Sequence, residues 1–172
     1  MSEEDRAIAL RFVAWARVWS PTAPRELREE AWQALDLPGG YDVVESEYWS
    51  AFHVGAPTPP MPLVLHAALG MEGGHAREEW MRILGFMGLR WQEESLPPDH
   101  LGPGCEALAT AIDRRDAVMV SEICTRYMLP WCEQARRRLG TDERACMLAL
   151  TNRFESDLEM LGDGREEASG DA

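Results

Sequence analysis

Ile8-Ala9-Leu10-Arg11-Phe12-Val13-Ala14-Trp15-Ala16-Arg17-Val18-Trp19-Ser20-Pro21 is the stretch that decides the fold. Its large apolar side chains at 8, 12, 15 and 19 are separated by steps of four, three and four. That spacing lines them along one face of a helix. Ser20-Pro21 then ends the helix, because proline cannot continue the backbone hydrogen-bond ladder.

The same periodicity recurs downstream. Leu27, Ala31 and Leu35 mark a second helix closed by Pro38-Gly39-Gly40. Asp42 to Phe52 reads as a short helix ending near Gly55. Gly55-Ala56-Pro57-Thr58-Pro59-Pro60-Met61-Pro62 holds four prolines in eight residues, so it is neither regular helix nor central strand but a rigid loop. Leu63 to Leu69 predicts one short helix before Gly70. Trp80, Ile83, Leu84, Met87 and Trp91 predict another, starting after Gly73-Gly74. Leu101, Cys105, Leu108 and Ile112 form the next apolar stripe. Val120, Cys124, Tyr127, Trp131 and Ala135 form a long one, kinked by Pro130. Met147, Leu150, Phe154 and Leu161 form the last, with Thr141 or Asp142 as its N-cap. Strand signals are scarce and no internal repeat is visible. The expectation is an all-α, single-domain bundle of about seven helices with a proline-rich loop. The domain runs over 1–162, and 163–172 is a disordered acidic tail.

Composition narrows the function. Of 172 residues, 45% are apolar, enough for a real core. No apolar run approaches the roughly 20 residues that span a bilayer. The start, Ser2-Glu3-Glu4-Asp5, is acidic where a signal peptide is basic. A cytoplasmic protein without membrane insertion is expected. Seventeen Lys plus Arg stand against thirty Asp plus Glu, a formal charge of -13. Phosphate backbones would be repelled, so nucleic acid is not an expected partner. A basic segment would be attracted, although acidity also serves solubility alone. Cys105, Cys124, Cys132 and Cys146 form no C-x-x-C pair and read as reduced core residues.

No phosphate loop, G-x-S-x-G or H-E-x-x-H is present. His53, His66, His75 and His100 have spacings that suit no common zinc motif. No catalytic residue, metal site or cofactor is therefore expected. The most informative polar pair is Asp99-His100, after Pro97-Pro98 and before Leu101. Asp99 can N-cap the following helix. Alternatively the pair lines a cleft and grips a peptide, where a carboxylate suits an arginine. If that helix starts only at Pro103, within Gly102-Pro103-Gly104, the pair stays in the loop. Among seven tryptophans, Trp15, Trp80 and Trp91 read as core. Trp49, just before the proline loop, faces a groove or joins a satellite cluster beneath the loop.

Three blocks, in this order, resemble the TorD/DmsD/NarJ family of maturation chaperones for molybdenum oxidoreductases. The first is Tyr48-x-x-x-Phe52-x-x-Gly55 with Pro59-Pro60. The second is Glu94-x-x-Pro97-Pro98-Asp99-His100-Leu101 with Glu106 and Leu108 beyond. The third is Leu129-Pro130-Trp131. The resemblance spans roughly residues 8–160. It implies an all-α fold without enzymatic activity. It implies binding of the leader, often a twin-arginine export signal, and of the body of a molybdopterin oxidoreductase catalytic subunit. By position, it implicates Asp99 and His100 in leader binding, with Phe52, Met61, Pro130 and Trp131; Trp49, from its place before the proline loop, joins them as a peptide-binding candidate. Met61, Leu63, Leu65, Gly104 and Ala145-Cys146 depart from the family pattern, as in a divergent branch serving its own enzyme. A monomer or domain-swapped dimer is compatible. The rival readings are a small helical metal-dependent hydrolase using His100, and a permanent helical subunit of a respiratory complex.

Overall fold

A computed structural model describes residues 3–90, 96–140 and 144–169, with side chains described through Gly162. The architecture is all-α, as the periodicity predicts. The helices are α1 (Glu3–Trp19), α2 (Arg25–Ala34), α3 (Tyr41–Phe52), α4 (Leu65–Leu69), α5 (Gly73–Phe86), α6 (Leu101–Asp113), α7 (Ala117–Ile123), α8 (Leu129–Leu139) and α9 (Ala145–Ser169). Among the described residues no helix is long and apolar enough to cross a membrane.

The opening stretch behaves as read. Phe12, Trp15 and Trp19 are fully buried and Ile8 is half-buried. α1 packs chiefly against α6, antiparallel to it: Asp5, near the start of α1, pairs with Arg115 just past the end of α6. The Ala16 carbonyl lies against Gly102, at the start of α6. Trp19 is the hub of the core. It stacks on Trp15 with ring centres 5.5 Å apart and meets Phe52, Trp131 and Phe154 edge-on at 5.3–5.5 Å. These rings come from α1, α3, α8 and α9, so one aromatic cluster ties the two ends of the chain together. Each such ring contributes about 2–3 kcal/mol by leaving water.

Four local expectations change. In α2 the buried face is Arg28, Ala31 and Trp32, with Leu35 just beyond, while Leu27 is exposed. Arg28 takes the place expected for an apolar residue because both terminal nitrogens of its guanidinium find partners inside, although its buried Nε has none. It donates to the Ser20 and Ala23 carbonyls and to the Tyr41 hydroxyl, and lies 5.4–5.7 Å from the ring centres of Tyr41, Tyr48 and Trp49. α5 begins at Gly73 rather than after Gly74, because the Glu72 carboxylate caps it by accepting from the Gly74 and His75 amides. Before Pro130 the long helix widens into a π turn over Cys124–Met128, with the Leu129 amide reaching the Cys124 carbonyl. A proline ring at 130 would crowd the carbonyl four residues back, and the wider turn relieves that crowding. Finally, α9 continues through Gly162, where the sequence suggests its end, to Ser169. Trp91 and the Thr141 or Asp142 cap lie outside the described residues.

Candidate functional site

Asp99 and His100 divide the roles that the sequence left open between capping and binding. α6 starts at Leu101, and its N-cap is His100, whose Nδ1 accepts from the Gly102 amide at 3.1 Å. Asp99 is freed from that helix and serves another. Its Oδ2 accepts from the His66 backbone amide at 3.1 Å and from His66 Nδ1 at 2.6 Å. A carboxylate from residue 99 thus holds the first turn of α4, whose own N-cap, Val64, has no side-chain oxygen to offer.

The backbone of the two segments interlocks as well. The Leu65 amide donates to the Asp99 carbonyl, and the Leu101 amide donates to the Leu63 carbonyl, both at 2.8 Å. They form a single antiparallel bridge between Val64 and His100. The Trp131 indole Nε1 donates to the Pro62 carbonyl at 2.9 Å, and the Met61 amide donates to the Ala51 carbonyl at 3.0 Å. The stretch Met61–Leu65 is therefore a junction. α3 holds it from one side, the segment before α6 from another, and Trp131 of α8 from a third.

The junction is buried on its inner side. Phe52, Met61, Trp131, Asp99 and His100 are all buried. Burial, and next the neighbouring His53, lowers the pKa of His100 to about 3. Burial, and next the Arg28 charge, lowers that of His53 to about 4. Both are neutral imidazoles at neutral pH. On the outer side stand half-buried Trp49, 4.5 Å from the His53 ring, half-buried His66, and exposed Arg77. Asp99 Oδ1, although buried, has no hydrogen-bond partner; the Arg77 Nε lies 4.0 Å from it. An unsatisfied oxygen on a buried carboxylate is costly, and a second donor arriving from solvent would relieve it.

The structure thus brings Asp99, His100, Phe52, Met61 and Trp131 to one place, but as a packed floor rather than the walls of an open groove. Pro130 lies half-buried two residues past the π segment. His66 and Arg77 escaped the sequence reading. No spacing rule links positions 66, 77 and 99; the tertiary fold makes the connection. Among the described residues no group of three or more His, Cys, Asp or Glu could hold a metal ion. Comparison of the chain with protein families, with curated proteins and with solved structures finds no match.

Proposed function

We propose that this protein is a cytoplasmic, non-enzymatic maturation chaperone. It binds the N-terminal leader, and the body, of a molybdopterin oxidoreductase catalytic subunit and assists cofactor insertion, assembly or export. One observation carries the reading. Phe52, Asp99-His100-Leu101 and Trp131, one from each of the three blocks that resemble the TorD/DmsD/NarJ family, lie far apart in the chain, yet they meet around the hydrogen-bonded stretch Met61–Leu65; Glu94 lies outside the described residues. Blocks that shared only local helix and turn chemistry would have no reason to meet.

The chemistry of the junction suits a leader. Leaders of this kind combine arginines with an apolar stretch. The unsatisfied Asp99 Oδ1 near the exposed Arg77 offers an acceptor that an incoming guanidinium can take, displacing Arg77 into solvent. Trp49, packed on His53, and the exposed proline loop offer further surface for the apolar stretch. A net charge of -13 draws a basic segment from a distance.

Titration calorimetry with leader peptides from molybdopterin oxidoreductases tests this. The expected result is saturable binding that weakens about tenfold or more when the peptide's arginines become glutamines. Asp99→Asn, which keeps the side-chain shape, is expected to weaken binding similarly while the far-ultraviolet circular dichroism stays unchanged. No binding at peptide concentrations up to about 1 mM would overturn the reading.

A further inference from the structure

A second surface has the form of a docking site and shares no residue with the junction. α1 and α6, lying antiparallel, leave a groove of about 560 Å³ along their outer seam. α1 contributes positions 6, 9, 10 and 13, and α6 contributes 106, 109, 110 and 113. Both sets fall at i, i+3, i+4 and i+7, so each helix presents one face about two turns long. The floor is made of Ala9 and Ala109, small enough to let another backbone come close. Leu10, 58% exposed, is the one large apolar side chain that stands fully out beside it. Val13 and Leu89 are half-buried along the same edge.

The charges on the rim say what would fit. Glu106 and Asp113 stand on the α6 side and Arg6 on the α1 side, and none of the three makes a salt bridge within the described residues. Glu106 stands at the end of the groove away from Arg6, because the helices are antiparallel. Glu106 is an exposed residue whose carboxyl is pushed upward by partial desolvation; Arg90 lines the adjoining cleft without an ion pair to it among the described residues. A segment seated here would cover that carboxylate further, so it must bring a cation to it.

We infer that the α1–α6 groove receives an amphipathic helix of a partner protein, one that lays a leucine-like stripe over Ala9 and Ala109 and places a lysine or arginine on Glu106. This is a helix-in-groove mode, with anchors on one face of the incoming helix. It is a different contact from the leader at the junction and stands whether or not that proposal holds.

The test uses a fluorescein-labelled amphipathic peptide of about 14 residues, long enough to run the groove. Its apolar face is leucine, and one lysine sits at the edge that meets Glu106. A twin peptide carries glutamate there instead. Fluorescence anisotropy against the full chain is expected to show binding of the lysine peptide at least about tenfold tighter than its twin. Glu106→Lys is expected to reverse that order, and Leu10→Glu to abolish both, with helix content unchanged. Equal affinity of the two peptides, or binding insensitive to Leu10→Glu, would overturn the inference. So would no binding of either peptide. Sedimentation is the remaining arm: a dimer dissolved by Leu10→Glu would mean that a second copy of this chain, not a partner's helix, occupies the groove.

Discussion

Asp157 carries more of the fold than any motif suggested. Its carboxylate is 2% exposed, and its Oδ2 accepts from Trp15 Nε1 and from Arg11 Nε, both at 2.7 Å. It therefore ties α9 back to α1 across the whole length of the chain. Asp157→Ala is expected to cost about 3 kcal/mol, because it leaves a buried indole N–H and a half-buried guanidinium without their acceptor. Urea unfolding measures it; a change below about 1 kcal/mol would mean that water replaces the carboxylate without loss. Arg28 teaches the same lesson from the other sign of charge. A buried cation with carbonyl and ring partners, but no acid, cannot be foreseen from a stripe that counts apolar residues. Nor could a reader of residue 99 foresee that its acceptor would serve residue 66.

At the level of helices, the glycines of α6 show what close packing demands. Flanking glycines around Pro103 look costly for a helix, since glycine gives up more backbone freedom than alanine. The packing answers the cost at Gly104. A Cβ there would stand 2.5 Å from Met128 Cε and 3.3 Å from Trp80 Cη2, so α6 presses against α5 and the π turn with no room for a side chain. Gly104→Leu is expected to lower stability by about 1–3 kcal/mol, read as a fall in melting temperature with a weaker near-ultraviolet tryptophan signal. Unchanged melting would show that Met128 swings aside freely. The helices themselves were legible because large apolar residues repeat at three and four in α1, α6 and α9, and because prolines and glycines punctuate them. The π turn was not. Pro130 announced an irregularity, but its form depends on whether the preceding carbonyls tilt or the register slips, and that is decided by neighbours. The site was legible only as a set of positions. Phe52, Met61, Trp131, Asp99 and His100 do converge, but burial follows from packing on every side, which no single helix face reveals.

For the molecule as a whole, the two buried histidines make stability depend on acidity. His53 and His100 have folded pKa values of about 4 and about 3, below the usual value near 6.5. Between those limits they are neutral when folded and charged when unfolded, so unfolding takes up protons. Their contribution is fully present above about pH 6.5 and is lost as the pH falls through that value towards about 4 and then about 3. With both sites active the slope approaches about 2.7 kcal/mol per pH unit. Urea midpoints at pH 7 and pH 5 should differ accordingly, and the double variant His53→Gln with His100→Asn, whose asparagine retains a capping oxygen, should flatten the difference. A midpoint equally steep in that variant would assign the acid sensitivity to carboxylates such as Asp157.

The junction at Met61–Leu65 has one more consequence, for the engineer rather than the biochemist. The Met61 amide returns to the Ala51 carbonyl and the Val54 amide to the Trp49 carbonyl, so the loop between them is fastened at both feet, while Val54 to Thr58 stand exposed. Whatever is spliced in at Thr58 would hang outside a closed clasp. The longer insert adds only a slowly growing entropy of closure, and the register of α3 and α4 is set below it. That tip can take an inserted tag without disturbing the core, and because the same loop belongs to the surface proposed for the leader, a bulky insert there should also block leader binding.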